Sequence, residues 1–173
     1  IRGLEYRGRF ELQNTLLNHG KIQGNVFYTY THTKSDTSFD TGSGQWIKSS
    51  SEIGDIAPHK INWNINVPFS SSWSVNLRGQ YVSSRTPYSS NPLRAQGIKI
   101  GSYHLLHAVI HHQMTADMEL TLKVKNVLDN AYFMPGAEEA GAGNDFENRS
   151  LNWRNSLIPG LGRNYMLMLN YHF

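Results

Sequence analysis

Eight histidines and no cysteine frame the first chemical question, since imidazole can hold a metal while thiolate chemistry is absent. His111 and His112 are adjacent, so on a strand they point to opposite faces and cannot both ligate one ion. His32 falls near a strand end, where it could meet a ligand or simply be solvated. Arg85, Arg94 and Lys99 give the segment 85–101 a positive balance, which suits an anionic group because arginine offers carboxylates a two-pronged fork. The same charges also fit an ordinary solvated loop. Glu138, Glu139, Asp145 and Glu147 supply hard oxygen donors of the kind calcium takes, without the regular spacing of an EF-hand loop. Phe133, Phe146 and Trp153, in the same stretch, could stack on an aromatic ligand or pack the loop against its neighbours. Enzymatic signatures are missing. No nucleophile elbow, paired-histidine metal motif or phosphate loop occurs, and Gly141-Ala142-Gly143 lacks the strand–helix setting of a dinucleotide fingerprint. We therefore assign no catalytic residue, no cofactor and no metal site. The ligand-contact candidates are Arg85, Arg94, Lys99, Phe146 and Trp153.

The elements that carry these residues are strands. Alternation at period two runs through much of the chain. Ile61, Trp63, Ile65 and Val67 oppose Lys60, Asn62, Asn64 and Asn66; Leu120, Leu122 and Val124 oppose Glu119, Thr121, Lys123 and Lys125. The pattern returns at the C-terminus, where Tyr165, Leu167, Leu169, Tyr171 and Phe173 alternate with Asn164, Met166, Met168, Asn170 and His172. Near the start, Leu4, Tyr6, Phe10 and Leu12 face away from Glu5, Arg7, Arg9, Glu11 and Gln13. This reading predicts seven strands near 3–16, 23–34, 57–68, 73–84, 102–113, 118–128 and 162–173. In the histidine-rich strand 102–113, Leu106, Ala108 and Ile110 are the expected apolar face. Several of these strands reach the roughly 9–11 tilted residues that cross a hydrocarbon core.

Composition narrows the class further. Of 173 residues, 39% are hydrophobic but only 17% charged, and mean hydropathy is −0.48. Uncharged polar residues therefore carry much of the polarity. No run approaches the about 18 apolar residues of a transmembrane helix. The net charge of +3 is modest and unclustered, which argues against nucleic acid. Short connections near 17–22, 69–72 and 114–117 alternate with long ones, rich in Gly, Ser, Asn and Pro, at 35–56, 85–101 and 129–161. Outer-membrane barrels alternate short periplasmic turns with long external loops in this way, and Trp73, Tyr81, Tyr165, Tyr171 and Phe173 sit where interfacial aromatic girdles would fall. By this parity His111 and His112 lie near the periplasmic end. A soluble β-sandwich or lipocalin-like barrel shows the same alternation. Against it stand the Asn-, Gln-, Thr- and Ser-rich opposite face and the burden of three long loops. The expected fold is all-β.

Four segments carry a resemblance to the C-terminal part of a TonB-dependent outer-membrane receptor. Ile56-Ala57-Pro58-His59-Lys60-Ile61-Asn62 resembles the lead into a late barrel strand, and Leu122-Lys123-Val124-Lys125-Asn126-Val127-Leu128-Asp129-Asn130-Ala131-Tyr132 the segment before the last long loop. Ile158-Pro159-Gly160-Leu161-Gly162-Arg163-Asn164-Tyr165 resembles the lead into the final strand, and Tyr171-His172-Phe173 the terminal Y-x-F of outer-membrane proteins. Their order and spacing, more than any one of them, make the resemblance.

The resemblance implies that residues 1–173 form an antiparallel meander of about seven long strands, the C-terminal part of a transmembrane barrel of about 22 strands whose lumen holds a plug. It implies an outer-membrane active transporter, in a Gram-negative bacterium, that imports a scarce nutrient (a ferric siderophore, haem or cobalamin) with energy transmitted by TonB. Plug and earlier strands are not in this sequence, so the chain is expected to complete its barrel with further polypeptide. Other implied partners are the TonB complex, reached through the plug, outer-membrane lipid and lipopolysaccharide, and the barrel-assembly machinery, which would read Tyr171 and Phe173. The readings that compete with transport are an outer-membrane enzyme or adhesin, and a passive porin.

Overall fold

The computed structural model describes residues 1–14, 20–88, 91–135 and 157–173. The alternating stretches all become strands: β1 (Arg2–Gln13), β2 (Lys21–His32), β5 (His59–Pro68), β6 (Trp73–Val82), β7 (Tyr103–Gln113), β8 (Met118–Lys125) and β11 (Asn164–Tyr171). They form one seven-stranded antiparallel sheet in the order β1-β2-β5-β6-β7-β8-β11. Each strand pairs with the next long strand in the chain, so the sheet is a meander. The fold is all-β, as the alternation predicts.

The long connections hold structure that the sequence reading leaves as loop. β3 (Ser35–Asp40) and β4 (Gln45–Ser51) make a hairpin within the first, and β9 (Phe133–Pro135) pairs with β10 (Leu157–Pro159) across the base of the third. In the second, a single helical turn, α1 (Pro92–Ala95), is capped by the Asn91 side chain, which accepts from the Leu93 N–H at 3.0 Å. The β3–β4 turn is organised by Asp40. Its carboxylate accepts from the Ser43 hydroxyl and from the N–H groups of Gly42 at 3.1 Å and Ser43 at 3.2 Å. These bonds, the Ser43 hydroxyl first, hold the Asp40 carboxyl below its usual pKa. Gly44, at φ +67, closes the turn with an N–H bond to Asp40 O at 2.8 Å.

β1 and β8 each end three residues earlier than the alternation predicts. β8 stops at Lys125 because Asn126 and Asp129 take left-handed backbone angles, φ 49 and φ 54. β1 stops at Gln13, after which the Asn14 N–H bonds Gly20 O at 3.3 Å and its side chain bonds Pro68 O at 2.8 Å.

Register sorts the side chains by face. Leu12, Ile22, Val67, Val75, Ile110, Leu122 and Leu167 lie in one row across all seven strands. Phe10, Gly24, Ile65, Leu77, Ala108, Val124 and Tyr165 form the next, on the same face. Leu106 sits opposite Gly79, on the apolar side the sequence assigned it. Every contact between elements is between paired strands, so among the described residues no second layer covers this face. At the sheet's margins its residues stand open, with Leu12 57%, Leu167 67% and Leu169 60% exposed. A sandwich would bury them. The described buried apolar side chains, Ala57, Val82, Ile100 and Leu105, instead gather at the end that carries the long connections.

Candidate functional site

The other face is polar, and its chemistry follows from the same register. Arg9 stands opposite Asn25, Asn25 opposite Asn64, Asn64 opposite Arg78, and Arg78 opposite His107; Lys125 continues the row to Asn164. One pair-step toward the short turns, Asn76 faces Val109 and Lys123 faces both Val109 and Met166. The depressions of the sheet lie on this face. One, of about 680 Å³, is lined by Arg78, His107, His111, Lys123, Lys125 and Met168 among others, and by no carboxylate.

Hydrogen bonds hold several of these groups in place. Asn64 and Asn76 exchange amide bonds at 2.9 and 3.3 Å, and Arg78 Nε donates to Asn76 Oδ1 at 3.2 Å. The Asn126 N–H donates to His107 Nδ1 at 3.1 Å, so in the neutral ring Nε2 carries the proton. His111 Nδ1 lies 3.1 Å from Glu119 Oε1 and 3.0 Å from Thr121 Oγ1, and Thr121 in turn donates to Glu119 at 2.9 Å. His112, on the apolar face, stacks on Trp73 with ring centroids 3.9 Å apart. The two adjacent histidines thus face opposite ways, as the strand geometry requires. No group of three His, Asp or Glu side chains suited to a metal occurs among the described residues.

The candidates of the segment 85–101 lie at the long-connection end. Arg85 is only 5% exposed; its backbone bridges Ile100, and its guanidinium sits 6.0 Å from the Tyr103 ring centroid. Arg85 Nη1 has no hydrogen-bond partner among the described residues. Arg94 is tied to the protein: Nη1 donates to Pro87 O at 2.9 Å and Nη2 to Glu52 O at 2.7 Å. With the Thr86 hydroxyl on Glu52 at 2.6 Å and the Tyr88 N–H on Asp55 at 3.1 Å, Arg94 stitches the first two long connections together. Lys99 and His32 are exposed. His32 shares a small recess with Arg2 and Lys34. Phe133 is exposed at the start of β9. Phe146, Trp153, Glu138, Glu139, Asp145 and Glu147 lie outside the described residues. Tyr171 meets Phe173 edge-on at 4.9 Å.

The sequence reading places Lys123 and Lys125 on the polar face but does not bring them to Arg78 and His107. Those residues are 45 or more positions apart at the extremes, and only cross-strand register, which the turns set, makes them neighbours. A count of uncompensated cations on the polar face was the available signal.

No protein-family model and no curated protein matches the sequence. Solved structures do. The chain is similar to the ferric-catecholate import receptor Fiu of E. coli K12 in its open form, at 15% identity and a TM-score of 0.56 over 99% of this chain and 24% of that one. Against the closed form the values are 12% identity, TM-score 0.55, and coverage of 99% and 28%. The likeness is one of fold, and the chain spans about a quarter of the length of these structures.

Proposed function

We propose that this chain is part of an outer-membrane active transporter that imports a scarce nutrient, foremost a ferric siderophore or other iron complex, with energy transmitted by TonB. One observation carries the reading: a seven-stranded meander, apolar on one face and polar on the other, has the fold of a quarter of an import receptor. The bare apolar rows suit lipid tails, and a polar inner face suits a wet or filled lumen. Among the described residues β1 and β11 each pair on one side only, and these edges call for further strands, because each unpaired backbone group in hydrocarbon costs several kcal/mol. Residues 1–173 are accordingly read as the C-terminal segment of a larger barrel with a plug, set in the outer membrane of a Gram-negative bacterium.

Within this reading, Arg85, Arg94 and Lys99 at the outer rim, with Phe146 and Trp153, are ligand-contact candidates. Lipid and lipopolysaccharide surround the wall, the TonB complex acts through the plug, and the assembly machinery reads Tyr171 and Phe173. The test is uptake of radioactive iron, offered as a panel of siderophore complexes, by cells with and without the full-length protein. Uptake that needs the protein and collapses when a protonophore dissipates the proton-motive force supports the reading. Protein-dependent uptake that persists without that force would identify a passive porin instead.

A further inference from the structure

We propose that Arg78, His107, Lys123 and Lys125 form a binding site for a multivalent organic carboxylate on the inner wall of the sheet. The proposal rests on the reading of that face as reachable by solute. Three strands bring the groups together: Arg78 from β6, His107 from β7, and the two lysines from β8. At a strand spacing of about 4.8 Å, Arg78 and Lys125 stand roughly 10 Å apart with His107 between them, and Lys123 lies about 7 Å along β8. This gathers three full positive charges around a neutral imidazole.

Among the described residues, none of the three cations has a counter-ion. The ion pairs among the described residues are Arg7 with Glu5, Lys21 with Glu11, and His111 with Glu119. The depression itself has no carboxylate in its lining. Glu119, the acid at its edge, is already engaged by His111 and Thr121. Like charges held at this spacing repel one another until an anion enters.

Two of the donors are aimed in advance. Asn76, itself locked to Asn64, holds Arg78 by Nε and leaves the terminal guanidinium nitrogens to bind a carboxylate. His107, fixed at Nδ1 by the Asn126 N–H, presents Nε2–H. Val109 and Met168 line the same depression and offer apolar contact to a carbon skeleton. That contact favours an organic anion over inorganic phosphate.

The experiment is calorimetric titration of the full-length protein, folded in detergent, with propane-1,2,3-tricarboxylate, acetate and inorganic phosphate at low and high salt. The tricarboxylate should bind best, and salt should weaken it. Lys123→Gln with Lys125→Gln should weaken binding roughly tenfold or more, and Arg78→Lys should fail to restore what Arg78→Gln loses. Lys21→Gln, on the same face but already paired with Glu11, should leave the affinity unchanged. Unchanged affinity in the Arg78 and lysine variants, or equal binding of phosphate, would overturn the site. So would an absence of binding in protein whose heat-modifiable migration shows a folded barrel, and that outcome leaves the transporter reading intact. Binding by protein that stays out of membranes would do the reverse, keeping the site and removing that reading.

Discussion

Asp40 shows how one carboxylate can organise a turn, beside the edge-on Phe39–Trp46 pair that flanks it. Its bonds to the Ser43 hydroxyl and to the Gly42 and Ser43 N–H groups are stronger to the ionised form. Because its folded pKa lies below the unfolded one, this contribution is present above about pH 4 and is lost as pH falls through the folded value. Protease cleavage within 40–44 should therefore rise several-fold on acidification, and Asp40→Asn should show the faster cleavage already at neutral pH. Cleavage rates of wild type and variant at pH 6 and pH 3 check this. A second residue-scale device is Gly79, which faces Trp63 across β5 and β6. A Cβ there would fall within the indole ring, so Gly79→Ala should displace Trp63 and destabilise the sheet by about 1–3 kcal/mol. The shift in urea midpoint, followed by Trp fluorescence, measures it. The Gly79–Trp63 contact is not visible in the sequence alone, since it depends on what stands opposite.

Among the elements, the end of β8 is held by a cluster of side-chain bonds. Asn126 accepts from the Asn130 N–H at 3.1 Å and donates to Asn130 O at 3.0 Å and Leu161 O at 3.2 Å, so a single amide ties the start of the last long connection to its end. Asp129 adds a bond from the Arg163 N–H at 2.8 Å. Asn126→Ala should cost about 1–3 kcal/mol and loosen β11 selectively, which hydrogen exchange along Asn164–Tyr171 would reveal. The strands themselves were legible. Alternation at Ile61–Val67 or Leu120–Val124 has no helical counterpart, and each of the seven long strands follows from it. The β3–β4 hairpin was not legible, because Phe39, Trp46 and Ile47 are its few large apolar residues and the rest reads as Ser, Thr, Asp and Gly. The anion-binding wall lay beyond sequence reading for another reason: parity gives the face of each residue, but not its neighbour on the next strand.

At the scale of the molecule, the sheet has two ends with different characters. The turns at 69–72 and 114–117 are short, whereas the β3–β4 hairpin, α1 and the β9–β10 pair all project from the opposite end. Tags inserted at Gly42–Ser43 should be labelled on intact cells and tags at Ala116 only after the outer membrane is opened; the opposite result would invert the topology. Phe173, wholly exposed beyond the edge strand β11, should matter to assembly rather than binding. Its deletion should lower the yield of folded protein while leaving the ligand affinity of the surviving fraction unchanged. The gathering of the long connections at one end has a further consequence for how such a wall diversifies. Strand register is kept by the turns and by each strand's own neighbours, so residues added at Gly42–Ser43 burden only the Asp40 turn and the closure of their own loop. Doubling such a loop costs only about 0.6 kcal/mol. One rim can thus vary freely in length and sequence over a wall that stays the same, and a foreign recognition segment grafted there would inherit a finished scaffold.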